Sequence, residues 1–279
     1  MHSLRRKVAE RLDGIFSKPE LDVMARELLC NLPGVRRNDF YLEPVLEADN
    51  MRDRILDGWL ERLVKGEPLQ YVLGFTDFCG VRLKCDPRAL IPRQETSELV
   101  EWVAEEASAE VSLLDIGTGT GCIAIALAKK YPGWCVSAWD ISLDALELAN
   151  ENAVTNGVTV NFCQKDILEE QDGGMFDIIV SNPPYIALSE SAGMEPTVLE
   201  HEPHIALFVP DCDPLQFYRA IGLFAKNHLK PEGSIYLEIN PLYADRLENL
   251  LEEEGFEVQF RNDISQKRRM AKIHHTNDN

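Results

Sequence analysis

Apolar positions in the first 70 or so residues recur at helical spacing. In LDVMARELLC, Leu21, Met24, Ala25, Leu28 and Leu29 fall on one face, and Pro33-Gly34 closes the segment. Ile55, Leu56, Trp59, Leu60 and Leu63 repeat the stripe, with Gly66 ending it. Such stripes are core faces more often than partner-binding faces, so residues 1–70 are expected to form a small helical bundle. The texture then changes over 71–90, where FTDFCGVRLKC (Phe75 to Cys85) alternates around a glycine and predicts a hairpin. IPRQET, from Ile91 to Thr96, leads into another helix with Leu99, Val100 and Val103 on its apolar side.

From Val111 the rhythm becomes strand, helix, strand. The pattern predicts strands over 111–115, 135–139, 159–163, 177–181, 234–239, 256–260 and 270–274. GCIAIALAKK, LDALELANENAV, FYRAIGLFAKNHL and ADRLENLLEEE supply the helices between them. Repetition of this kind builds a mainly parallel sheet covered by helices. Too few residues separate the last two strands for a crossover helix, so these two are expected to pair antiparallel at the end of the sheet. Residues 91–279 thus read as an α/β domain with a seven-stranded mixed sheet, preceded by the helical domain and the hairpin.

Composition narrows the picture. With 279 residues, 45% of them hydrophobic, the chain can fill a substantial core. Acidic residues outnumber basic ones 47 to 28, a formal charge of −19, which argues against broad DNA binding and suits a basic partner. The seven cysteines are odd in number with no CxxC pair, and are expected as core thiols in a reducing compartment. The six histidines form no HxxxH pattern, so no metal site is expected. The segment MHSLRRKVAERLDG lacks the apolar core of a signal peptide, and no run of 18 apolar residues occurs. A cytoplasmic chain without membrane contact follows as the expectation.

Candidate chemistry begins at LLDIGTGTGCIAIA, which puts Asp115, Gly117, Gly119 and Gly121 at a strand-to-helix junction. The glycines permit a tight turn and close backbone approach to a ligand. Their G-x-G-x-G spacing is not the dinucleotide fingerprint, and no Gly-Lys-Thr or Gly-Lys-Ser completes a phosphate loop. The next strand ends in Asp140, a carboxylate suited to ribose hydroxyls, and the third near Asp166-Ile167, an acid and an aliphatic chain suited to adenine. Three successive strand ends offering adenosine contacts, without a pyrophosphate site, point to S-adenosylmethionine. Asp115 could set the loop or meet the ligand's ammonium.

After the fourth strand comes VSNPPYIAL, from Val180 to Leu188. The Asn182 side-chain oxygen and the Pro183 carbonyl are both acceptors, and two convergent acceptors suit a planar NH2 group held by both hydrogens. Tyr185 could stack behind that nitrogen, while Pro183 and Pro184 stiffen the frame. A capped turn with a core aromatic is the plainer alternative. Beside an adenosine-type site, the arrangement predicts substitution at a sulfonium methyl by an amide or amino nitrogen, with no dedicated base. His201, His204 and His228 are expected as ordinary surface or loop residues. The same four letters serve enzymes acting on adenine or cytosine amines and on glutamine side chains, so the substrate stays open at this point.

Several longer pieces are more specific. GEPLQYVLG (66–74), IPRQETSELV (91–100), DIGTGTGCIAIALA (115–128), DISLDALELANENA (140–153), VSNPPYI (180–186) and LEHEPHIAL (199–207) together resemble the bacterial peptide chain release factor glutamine methyltransferase family. Members methylate the glutamine of the Gly-Gly-Gln tripeptide with S-adenosylmethionine. The resemblance implies that Gly117, Thr118, Gly119, Thr120 and Gly121 line the methionine part of the cofactor, with Asp115 beside them. It places Asp140 at the ribose, Ile167 by adenine, Asn182 between cofactor and substrate, and Asn182, Pro183, Pro184 and Tyr185 at the glutamine amide. It further implies that the helical domain and the hairpin shape the rest of the release-factor site, and that nucleic acid is not required. A basic release factor would suit an acidic enzyme. Gln94 and Ser97 depart from the proline and glutamate expected in this motif, Ile167 stands where relatives often carry an aromatic, and INPLYA after Glu238 lacks a usual glycine. Glutamine methylation of a large-subunit ribosomal protein, and amino-group methylation of a nucleic-acid base, are the alternative activities.

Overall fold

In the computed structural model, which describes every residue except 45, 46, 48, 107–109, 170, 171 and 277–279, the N-terminal segment forms α1 (His2–Leu12), α2 (Lys18–Cys30), α3 (Asp39–Leu42), α4 (Asn50–Val64) and α5 (Leu69–Leu73). Helix starts are capped by local chemistry. The Glu20 carboxylate accepts the Ser17 N–H at 2.7 Å ahead of α2, and Asp49 accepts from the Met51 and Arg52 amides at the head of α4. Val8, Leu12, Leu28, Leu29, Leu56, Leu60 and Leu63 are fully enclosed in one apolar cluster. Ile55 and Trp59, expected on the same stripe, are partly buried against it. Arg62 then fastens α4 to α5. Its guanidinium pairs with Glu67 and donates to the Tyr71 and Val72 carbonyls at 2.8 and 3.0 Å.

Downstream lie β1 (Phe75–Phe78), β2 (Val81–Lys84), α6 (Gln94–Glu106), β3 (Ser112–Ile116), α7 (Cys122–Lys130), β4 (Cys135–Asp140), α8 (Leu143–Asn156), β5 (Asn161–Gln164) and β6 (Phe176–Ser181). They are followed by β7 (Ile186–Ala187), α9 (Pro196–His201), β8 (Phe208–Val209), α10 (Gln216–His228), β9 (Leu229–Glu238), α11 (Ala244–Glu253), β10 (Phe256–Asn262) and β11 (Arg268–His275). The chain divides into two compact units, Met1–Phe75 with Glu195–His201, and the remainder. The division is therefore not purely sequential, since α9 interrupts the second unit.

The second unit is built on a sheet of order β10-β11-β9-β6-β3-β4-β5. Strands β9, β6, β3, β4 and β5 pair parallel, whereas β11 inserts antiparallel between β9 and β10. Alternate residues feed two cores. Leu113, Val136, Ala138, Ile178 and Val180 pack with Leu99, Trp102, Ile123 and Leu127 on one face. Leu114, Ile116, Trp139, Ile179 and Ile235 pack with Ile221, Phe224, Leu247 and Leu251 on the other. A three-layer α/β/α arrangement results.

Two differences from the sequence expectation have clear causes. β9 starts at Leu229, five residues early, because Leu229 pairs with Phe176 ahead of a register shift, with pairing resuming at Ile178 and Ser234, and Lys230 is held 2.8 Å from Asp177. Among the seven cysteines, expected as core thiols, only Cys85 is buried; Cys79, Cys135 and Cys212 occupy a turn, a strand start and a loop and are exposed. No described helix is long and apolar enough to cross a membrane.

The hairpin is covered rather than left as an open edge. Asn152 of α8 accepts the Lys84 N–H at 2.6 Å and donates back to the Lys84 carbonyl at 3.2 Å, while Asn156 serves Arg82 in the same way. These amides act as a substitute strand along β2. The hairpin turn places Cys79 at φ +44° and Gly80 at φ +80°, the left-handed pair of a type I′ turn. Asparagine tolerates that conformation better than cysteine, so Cys79→Asn should stabilise the protein by up to about 1 kcal/mol. A thermal midpoint that stays put or falls would count against strain at this turn.

Candidate functional site

The carboxyl ends of β6, β3, β4 and β5 lie side by side, where parallel sheets present ligand sites. A cavity there is lined by Gly117, Asp140, Asp166, Ile167, Pro183 and Pro184 together with Ile116, Ile141, Lys165, Ser181 and Phe217. Sequence motifs from four strand ends thus meet at one place. A larger cavity, about 720 Å³, opens at the start of β4 and β5 around Trp134 and Asn161, and contains none of the candidate residues.

The glycine loop is anchored before any ligand arrives. The Trp139 carbonyl accepts the Gly117 and Thr118 amides at 2.8 and 2.9 Å. Gly119 donates its N–H to Asp140 at 2.8 Å, and Ser142 donates to the other Asp140 oxygen at 2.9 Å. Burial raises the Asp140 pKa against those backbone donors. The three loop glycines do different work. A Cβ on Gly117 would meet nothing within 4 Å, so its face is open to a ligand. One on Gly121, at φ +81°, would lie 2.7 Å from Ile125 and 3.2 Å from Ala149, so Gly121 permits α7 and α8 to pack. Of the Gly117–Gly121 run, only Gly117 lines the cavity.

Asp115 is enclosed at the end of β3, with one carboxylate oxygen accepting from the Thr118 hydroxyl at 2.6 Å and the Ala124 amide at 3.3 Å. Its other oxygen is buried without a partner among the described residues, as is the Thr120 hydroxyl. An unpartnered buried carboxylate oxygen, an open glycine face, ribose-capable Asp140 and the apolar Ile167 wall fit a nucleoside that carries a cationic tail. Asp166 joins that wall with one oxygen already accepting the Leu168 amide at 2.9 Å.

Asn182 lies half-buried just beyond β6. Its amide nitrogen donates to the Thr96 hydroxyl at 3.0 Å, and its side-chain oxygen accepts no hydrogen bond from the described residues. The Thr96 hydroxyl donates to Glu238 at 2.6 Å, and the Tyr185 phenol donates to the other Glu238 oxygen at 3.0 Å. Glu238, only 1% exposed, ends β9; burial pushes its carboxyl pKa up, opposed by these two hydroxyls and by the Arg269 charge. Tyr185 is therefore tethered by its hydroxyl, a contact that the stacking expectation did not include. Its carbonyl accepts from Asn240 at 3.1 Å, and Asn240 also donates to Glu190.

Sequence inspection passed over Thr96, Glu202, Glu238 and Asn240. Glu202, 4% exposed, accepts the Ile91 amide at 3.1 Å and the Arg93 guanidinium at 2.6 Å, joining the HEP element to IPR. Each carried a weak signal, such as a lone carboxylate closing the apolar strand SIYLE. Of the histidines expected at the surface, His204 is exposed, but His201 ends α9 with its Nε2 buried and unpartnered among the described residues. Among those residues no group of His, Cys, Asp or Glu is arranged to hold a metal ion.

The chain is similar to known proteins over most of its length. Residues 3–74 match the PrmC N-terminal domain family, and residues 94–198 match the methyltransferase small domain family. The release factor glutamine methyltransferase of Bacteroides thetaiotaomicron is 39% identical over 90% of this chain and 91% of its own length. That of Flavobacterium psychrophilum is 40% identical over 96% of this chain and 97% of its own. The chain belongs to the release factor glutamine methyltransferase family. A methyltransferase from Pyrococcus furiosus, 18% identical, aligns with a TM-score of 0.55 over 81% of this chain and 98% of its own, which shows the shared fold.

Within this family member, the departures at Gln94 and Ser97 complement each other. The Ser97 hydroxyl donates to the Gln94 carbonyl at 2.6 Å and accepts from the Gln94 amide at 3.0 Å, closing the first turn of α6. Ile167 fills the wall position with an aliphatic chain that is 8% exposed.

Asp115 makes the site's charge measurable. Burial pushes its pKa up to about 7, outweighing its two hydrogen-bond donors. The folded chain then holds this proton more tightly than the unfolded chain, so the group's destabilising effect is absent below about pH 4, grows up to about pH 7, and is constant above. The stability gained by Asp115→Asn in ligand-free protein should accordingly increase from pH 4 to 7 and then level off in urea titrations. A gain independent of pH would exclude a raised Asp115 pKa.

Proposed function

We propose that this chain transfers the methyl group of S-adenosylmethionine to the side-chain amide nitrogen of the glutamine in the Gly-Gly-Gln motif of peptide chain release factors. The observation that carries the reading is the Asn182 amide, whose donor end is committed to Thr96 and whose acceptor end is left for a ligand beside the Gly117–Asp140 cavity. S-adenosylmethionine, when bound, supplies an electrophilic methyl on a sulfonium. Gly117, Asp140, Asp166 and Ile167 are the residues to hold its nucleoside, and Asp115 is the carboxylate nearest in kind to its ammonium. Gly119, Thr118, Thr120 and Gly121 shape the turn that leaves this space.

The chain's own contribution to the reaction is alignment and polarisation. An amide nitrogen is a poor nucleophile because its lone pair is delocalised into the carbonyl. Asn182 and the Pro183 carbonyl would accept its two N–H bonds, and these bonds strengthen as positive charge develops on nitrogen. Pro183 and Pro184 restrict the backbone that carries those acceptors, and Tyr185, tied to Glu238, closes the amide from behind. Transfer would form an N–C bond as the C–S bond breaks, and the methylated nitrogen, made acidic, would release its proton to solvent. No protein base is required. A cytoplasmic site of action belongs to the same proposal.

The test is transfer of labelled methyl from S-adenosylmethionine to a purified release factor, beside its Gln→Ala variant in Gly-Gly-Gln, with ribosomal protein and DNA run in parallel. Label confined to the intact release factor is expected. Label on another substrate would overturn the target while keeping the amide chemistry. Asn182→Ala should lower kcat by about 100-fold or more, with the thermal midpoint little changed; equal loss of both would mean Asn182 is structural.

A further inference from the structure

An asparagine side chain is nearly symmetric in shape and opposite in character at its two ends. Only the oxygen end can receive the hydrogens of a substrate amide; a flipped Asn182 would present hydrogens to hydrogens. Something must therefore set which way round it lies. We infer that Thr96 and Glu238, with Tyr185, are positioning residues that orient the Asn182 amide through a one-way chain of hydrogen bonds. This rests on the acceptor role of Asn182 proposed above.

The direction of the chain follows from counting hydrogens. An ionised carboxylate has only lone pairs, so both hydroxyls that reach Glu238 must donate, Thr96 at 2.6 Å and Tyr185 at 3.0 Å. Thr96 has a single hydroxyl hydrogen, and it is spent on Glu238. Its oxygen can then only accept, which fixes the NH2 end of Asn182 toward Thr96 at 3.0 Å and turns the oxygen end to the substrate side. Thr96 and Glu238 are each 1% exposed, so water does not compete for these bonds. The participants lie far apart in sequence, with Thr96 on α6, Asn182 after β6 and Glu238 closing β9. Burial raises the Glu238 pKa, opposed by the Thr96 and Tyr185 hydroxyls and by the Arg269 charge, and the chain runs in this direction when Glu238 is ionised.

Thr96→Ser keeps the hydroxyl, Thr96→Val removes it at similar volume, and Glu238→Gln puts a donor where only acceptors stood. Initial rates at varied release factor, titration of S-adenosylmethionine binding and thermal midpoints would be measured on the full chain for each, beside Asn182→Ala. Thr96→Val and Glu238→Gln should lower kcat by about 100-fold with KM and cofactor binding near the parental values, the pattern of an interaction made in the transition state. Thr96→Ser should restore the rate. Parental kcat in Thr96→Val, with Asn182→Ala inactive, would overturn the inference and leave the proposed function standing. An active Asn182→Ala would overturn both the acceptor role and the inference. Activity lost in step with cofactor binding or thermal midpoint would make Thr96 structural and overturn the inference alone.

Discussion

A carboxylate taken out of water must be given donors, and three such groups organise the working end of this protein. Asp115 closes β3, Glu238 closes β9 and Glu202 follows α9, and each is less than 5% exposed. Leaving any of them unpaired would cost several kcal/mol. Each has drawn its donors from other segments. Asp115 gathers the glycine loop and the start of α7, Glu202 gathers Ile91 and Arg93, and Glu238 gathers Thr96 and Tyr185. Each of these buried carboxylates thereby ties together segments that lie apart in the sequence.

The stiffness of that surface has chemical consequences. Asn182-Pro-Pro-Tyr185 follows a buried strand whose last residue, Ser181, donates to the Ile116 carbonyl of β3 at 2.6 Å. From there the segment is held by Thr96 at its asparagine and by Asn240 and Glu238 at its tyrosine. An acceptor fixed in this way loses little freedom when it engages a substrate, which is what electrostatic preorganisation requires. Asp115 shows the complementary case. One of its oxygens stays buried and without a partner among the described residues, and burial raises its pKa.

Departures from the family pattern are absorbed locally. Gln94 and Ser97 bond each other at the first turn of α6, so the helix still presents Thr96 to Glu238. After Glu238, Asn240 supports the Tyr185 backbone and bonds Glu190. Asn182 and Glu238 stay in contact through Thr96.

Much was legible from residue order alone. Helical and strand periods depend on which face of an element is apolar, a local property, so the bundle stripes, the seven strands and the antiparallel end of the sheet could all be read off. The glycine loop, Asp140, Asp166-Ile167 and NPPY could be read as well, because each stands at a strand end and topology brings parallel strand ends together. Partners joined across long separations were not legible. Thr96 and Glu238 lie 142 residues apart, and neither motif names the other. Nor could spacing reveal that Gly121 serves helix packing while Gly117 faces open space, or that three of the seven cysteines are exposed. Periodicity determined the elements and the end of the sheet where the candidate residues meet. Only the tertiary structure decided the direction of each hydrogen bond, because that depends on which buried group must be satisfied and which neighbour has a hydrogen left to give.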